Sequence, residues 1–85
     1  MAEAPQEAKR NDEVKRAEEL KKLINIASDL EFDPKIRVQA IELLGKMRTH
    51  ESLLALLGLA GNDKLNIEDR ELALKHAREI IKSGR

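Results

Sequence analysis

The chain has 85 residues, enough for one small domain, and its 16 Lys and Arg balance its 16 Asp and Glu to a formal charge of zero. That balance gives neither the basic footprint of a nucleic-acid binder nor an acidic bias toward cationic partners. Cysteine is absent, which excludes disulfides, thiolate metal sites and Cys nucleophiles, and Phe32 is the single aromatic residue, so any core is built from Leu, Ile, Val and Ala.

Residues 1–10 show no apolar periodicity and contain Pro5, so a flexible N-terminal tail is expected there. There is no apolar stretch of the kind that begins a secretory leader. A single helical domain is expected over residues 11–85. Asn11-Asp12-Glu13 offers a cap and an acidic first turn to a first helix running to about Leu30. Leu20, Leu23, Ile24, Ala27 and Leu30 fall within an arc of about 120° at 100° per residue, a core-facing stripe. The basic pairs Lys9-Arg10, Lys15-Arg16 and Lys21-Lys22 scatter around the circumference among acids, as on an ordinary solvated face.

Glu31-Phe32-Asp33 reads as a turn plugged by the phenyl ring. Asp33 then caps a second helix, and Pro34 suits its first position, where a missing N–H is no loss. Ile36, Ala40, Leu43, Leu44 and Met47 form the expected inner face of that helix. Thr49 caps a short third helix, "ESLLALLGLAG". Its stripe is Leu53, Leu56, Leu57 and Ala60, with Leu54 and Leu59 off it. A helix apolar on most sides is expected in the middle of the domain. Gly58 inside it costs about 1 kcal/mol against Ala, which predicts a packing reason for it. After a loop at 62–66, Asn66 caps a fourth helix from about Ile67 to Lys82, with Ala73, Leu74, Ala77, Ile80 and Ile81 as its stripe. Glu68 and Asp69 are read as acids suited to its positive end.

Sliding the chain on itself by 33 residues brings Leu20 onto Leu53, Leu23 onto Leu56, Ile24 onto Leu57, Ala27 onto Ala60, Asp33 onto Asn66, Arg37 onto Arg70, Ala40 onto Ala73 and Ile41 onto Leu74. Apolar residues meet apolar residues, cap meets cap and Arg meets Arg. The predicted fold is all-α: four helices as two stacked antiparallel hairpins, hairpin 1 over about 11–48 and hairpin 2 over about 50–83. Neither hairpin can bury its inner face alone.

"DPKIRVQAIELLGKM" resembles the second helix of a HEAT-type repeat in its short form, through Asp33, Pro34, Arg37, Ala40, Leu44 and Gly45. The second unit departs from that pattern, with Asn66-Ile67 for Asp-Pro and Ala77-Arg78 for Leu-Gly. The resemblance implies a stackable repeat, a role in protein binding or as a scaffold, and structural residues Asp33, Arg37, Asn66 and Arg70 linking the units. A long arginine there can bury its stem and reach the turn, and the preferred pair is Asp33 with Arg70.

No catalytic constellation is visible. His50 and His76 lack partners at zinc-ligand spacing, the serines lack a nucleophile elbow, and the glycines fit no phosphate-cradling loop. The expectation is a cytoplasmic, non-enzymatic interaction or scaffold module without cofactor or metal. Its partner would be another protein or a second copy. Ile26, Val38, Ile41, Leu54, Leu59 and Leu72 lie off the main stripes and are the candidate interaction surface. The alternative is a small helical nucleic-acid binder using the basic residues of the first and last helices. A similar Arg-x-x-Ala-x-x-Leu-Leu helix occurs in small phage DNA-packaging proteins. Zero charge and the lack of stacking aromatics weigh against that alternative.

Overall fold

The computed structural model describes the backbone of residues 3–83 and the side chains from residue 15 to residue 83. Within it the chain forms four helices: α1 (Glu3–Ser28), α2 (Pro34–Met47), α3 (His50–Ala60) and α4 (Ile67–Ser83). α1 packs along α2 and α3 along α4, giving two antiparallel hairpins. α2 then lies against α4, and α1 touches α3, so the hairpins stack like on like. No strand occurs among the described residues.

Local chemistry sets the helix boundaries. The Asp33 carboxylate accepts from the Lys35 N–H at 2.9 Å, and Pro34 opens α2. α2 ends at Arg48, whose φ of 53° and ψ of 40° place it in the left-handed region. Thr49 and Ser52 then form a reciprocal capping box. The Ser52 N–H donates to Thr49 Oγ1 and the Thr49 N–H to Ser52 Oγ, both at 3.0 Å. At α4 the Asn66 side chain accepts from the Asp69 N–H at 3.0 Å. The caps at Asp33 and Asn66 therefore stand one repeat apart and do the same work.

The first helix starts earlier than expected. α1 begins at Glu3, well before Asn11. Pro5 falls in its first turn, where a helix has no use for that N–H. Residues 1, 2, 84 and 85 lie outside the described residues. Among the described residues no helix is long and apolar enough to cross a membrane.

The core joins Ala27 of α1, Ala40, Ile41 and Leu44 of α2, Leu56 and Leu59 of α3, and Ala73, Ala77 and Ile80 of α4, closed by Leu65 from the α3–α4 loop. Four of these ten are alanines, which lets the helix axes approach closely. One close approach is at Gly45: a Cβ built there would sit 2.5 Å from the His76 ring of α4. Gly45 thus has a packing reason. Gly58 does not, because a Cβ there would meet nothing within 4 Å. The packing role expected of Gly58 is overturned.

α2 is turned relative to the expected face. Arg37, Ala40, Ile41, Leu44 and Gly45 are buried, while Ile36 and Leu43 are exposed. α3 also departs from expectation. It touches all three other helices, yet Leu54 and Leu57 stay exposed, so it flanks the core and is not enclosed by it. In α4, Ala73, Ala77 and Ile80 are inward as expected, but Leu74 and Ile81 are not. Phe32 is more than a third exposed and so does not plug its turn.

Candidate interaction surface

The most constrained polar feature lies between the hairpins. Arg37 Nε donates to Asp69 Oδ2 at 3.0 Å, with side-chain exposures of 5% and 4%. Arg37 Nη1 donates to the Phe32 carbonyl at 2.7 Å and reaches the Leu30 carbonyl at 3.5 Å. One guanidinium therefore ties together the α1–α2 turn, α2 and the first turn of α4. A buried arginine is tolerated because its donors are matched by a carboxylate and by carbonyls that would otherwise face nothing. Asp69 gains further from its place in the first turn of α4, at the positive end of that helix. Among the described residues no buried side-chain N or O lacks a partner.

This corrects the expected Asp33–Arg70 pair. The Asp33 carboxylate is occupied by its own cap, and Arg70 Nε donates to the Ala60 carbonyl at 3.0 Å, within hairpin 2. Asn66 serves as a cap and does not link the units. Arg37 does join the two units, but through Asp69, which the sequence presented as an exposed helix-dipole acid. The signal that could have found it was available. Asp69 is three residues past the cap, and the 33-residue shift sets it opposite Ile36, next to Arg37.

The six candidate surface residues separate into three groups. Ile41 and Leu59 are fully or nearly fully buried and belong to the core, so they are removed from the surface. Ile26 and Leu72 are half-buried and pack against that core. Val38 is half-buried too, in a shallow groove with Pro34, Lys35 and Gln39. Leu54, 55% exposed, remains a surface residue. Ile41 misled because its repeat partner Leu74 is apolar as well. A pattern repeated in both hairpins cannot say which copy is covered.

Apart from Leu30 and Phe32 in the α1–α2 turn, the exposed large apolar side chains fall into two sets, one on each hairpin. On hairpin 1, Ile36 and Leu43 are exposed, and a groove between α1 and α2 is lined by Glu19, Lys22, Leu23, Leu43, Lys46 and Met47. On hairpin 2, Leu54 and Leu57 of α3 join Ile67, Leu74 and Ile81 of α4, and a groove is lined by Ala60, Ile67, Arg70, Glu71 and Leu74. The 33-residue register accounts for Leu74 in the second set. Shifted back by 33 residues, Arg70 and Leu74 become Arg37 and Ile41, the residues with which hairpin 1 meets hairpin 2.

The remaining polar groups are ordinary. His76 Nδ1 lies 3.6 Å from Glu79 on its own helix, and Arg48 bonds Ser83 Oγ, pinning the end of α2 to the end of α4. Among the described residues no group of three His, Asp or Glu side chains is placed to hold a metal. No protein-family model matches the chain, no curated protein is similar to it, and no solved structure matches its fold.

Proposed function

We propose that this chain is a protein-interaction or scaffold module, a short HEAT-like stack of two hairpins that presents its unfinished ends to partners. One observation carries the reading. Leu74 of hairpin 2, which corresponds to the fully buried Ile41 of hairpin 1, is apolar and exposed. A repeat unit has an inner face on each side, and at the ends of an array that face must be polar, capped or covered. Here Leu74 leaves it open at one end, with Leu54, Leu57, Ile67 and Ile81 also exposed on hairpin 2, and Ile36 and Leu43 are exposed on hairpin 1. Contiguous apolar surface of this kind is typical of contact sites. The HEAT-type likeness of Asp33–Met47 supports the same reading, as does the use of Arg37 between units.

The test is site-specific photo-cross-linking in living cells, with the photoreactive residue placed at 43 or 74 and, as controls, at the exposed polar positions 42 and 75. Discrete adducts from 43 or 74, and none from the controls, are the expected result. Equal labelling from all four positions, or none from any, would refute the module.

A further inference from the structure

We propose that the outer face of hairpin 2 is a self-association surface, on which two copies pair about a two-fold axis at Leu74, with α4 running antiparallel to α4 of the second copy. The proposal rests on the interaction reading and names the partner of one of its two faces.

The first observation is the spacing of that face. Ile67, Leu74 and Ile81 recur every seven residues, the period at which one helix keeps a straight apolar seam toward another. They are 65%, 40% and 55% exposed. The seam is symmetric about its middle. Antiparallel pairing at Leu74 sets Ile67 against the partner's Ile81, and Ile81 against the partner's Ile67.

The second observation is charge. Glu71 and Arg78 are both exposed and share one flank of the seam, seven residues apart. In an antiparallel pair like flanks meet, so Glu71 comes opposite the partner's Arg78, and the symmetry makes that contact twice. On the other flank lies α3, whose Leu57 and Leu54 add exposed apolar surface to hairpin 2. Neutral net charge adds no long-range repulsion between copies.

The third observation removes the other ways two copies could stack. Head-to-tail continuation would repeat the internal contact of hairpin 1 with hairpin 2. That contact needs Asp69 facing an arginine and Gly45 facing a histidine ring. At the free end of hairpin 1, Ile36 stands where Asp69 stands, and at the free end of hairpin 2, Arg78 stands where Gly45 stands. Both devices are missing, so an open-ended array is not favoured. Pairing through the hairpin 1 end would bring together two grooves, each lined by Lys22 and Lys46 with Glu19 as the only acid. The seventeen residues of α4 span about 25 Å, and α3 beside it widens the face to roughly 20 Å. That is adequate for about 600 Å² per partner, the lower end of stable interfaces.

The test begins with sedimentation equilibrium of the purified chain over a wide concentration range. A reversible monomer–dimer equilibrium with no larger species is expected. Leu74→Glu should weaken dimerisation at least tenfold with helical circular dichroism unchanged, and Leu43→Glu should leave it unchanged. Glu71→Arg and Arg78→Glu should each weaken it several-fold, and the double variant should restore it. Should Leu74→Glu not fold, the charge-swap series gives the same answer from exposed positions.

The chain has no native cysteine, so register can be read directly. Leu74→Cys should oxidise to a linked dimer, Ile67→Cys and Ile81→Cys should link only when mixed, and Leu43→Cys should not link. A strict monomer, an open-ended polymer, or a dimer abolished by Leu43→Glu alone would overturn the pairing. If the purified chain is monomeric while position 74 cross-links in cells to a different protein, the pairing fails and the interaction module stands. If neither face yields an adduct in cells and the chain is monomeric, both fail.

Discussion

The two hairpins are built on one pattern and put to different use. In hairpin 1 the second helix turns three of its residues to the inside: Arg37 reaches Asp69, Ile41 is fully buried and Gly45 accommodates His76. In hairpin 2 the corresponding Arg70 bonds the carbonyl of its own α3, Leu74 is exposed, and Arg78 replaces the glycine. The loops differ as well. Leu65 seals the α3–α4 connection, while Phe32, its counterpart in hairpin 1, stays partly in solvent. Similar sequence units therefore acquire different roles from position alone. The first is finished by its neighbour, and the second waits for one.

The sharpest way to break the comparison is at the shared ion pair. Asp69→Ala leaves the Arg37 guanidinium buried without its carboxylate, and removing one partner of a buried pair costs about 3–5 kcal/mol. Against a total stability of roughly 5–15 kcal/mol for a natural domain, urea unfolding should show a large loss. Arg70→Met should cost far less, because its bond to the Ala60 carbonyl is only half-buried. Equal losses from Asp69→Ala and Arg70→Met would mean that the two units are not distinguished as described.

Next comes the close approach at Gly45. Gly45→Ala pushes a methyl into the His76 ring and should destabilise by about 1–3 kcal/mol, the usual cost of overpacking. If thermal melting shows no loss, α2 and α4 are further apart than described here. The caps rank third. Asp33→Ala and Asn66→Ala should each cost about 1 kcal/mol, and similar values from the two would confirm that the repeat extends to its caps. The smallest effect has the opposite sign. Gly58→Ala adds a methyl to open space on α3 and should stabilise by about 0.5–1 kcal/mol through helix propensity. A loss of stability there would reveal a contact to the Gly58 backbone.

The elements legible in the sequence were those decided locally. Asp33, Thr49 and Asn66 cap helices through bonds spanning two or three residues, so each could be read without knowing the fold. The 33-residue spacing between the caps at Asp33 and Asn66 was legible for the same reason. The rotation of α2 was not. It carries apolar residues on two faces, Ile41 and Leu44 inward and Ile36 and Leu43 outward, and periodicity alone cannot rank them. The Arg37–Asp69 contact spans 32 residues and depends on that rotation. Asp33, committed to the Lys35 N–H of its own helix, is not free to pair with an arginine.

The joint between the hairpins consists of Arg48 and Thr49 alone. Thr49 is held by the capping box with Ser52, and Arg48 sits in a left-handed conformation. With so short a connection, the pitch between units is set largely by the two backbone dihedrals of one residue. Arg48→Gly would keep that conformation accessible while opening others, and Arg48→Pro, fixed at negative φ, would forbid it. The chain connection between the units thus narrows to a hinge of a single residue, whose conformation must agree with the core that Ile41 and Leu44 share with Ala73 and Ala77.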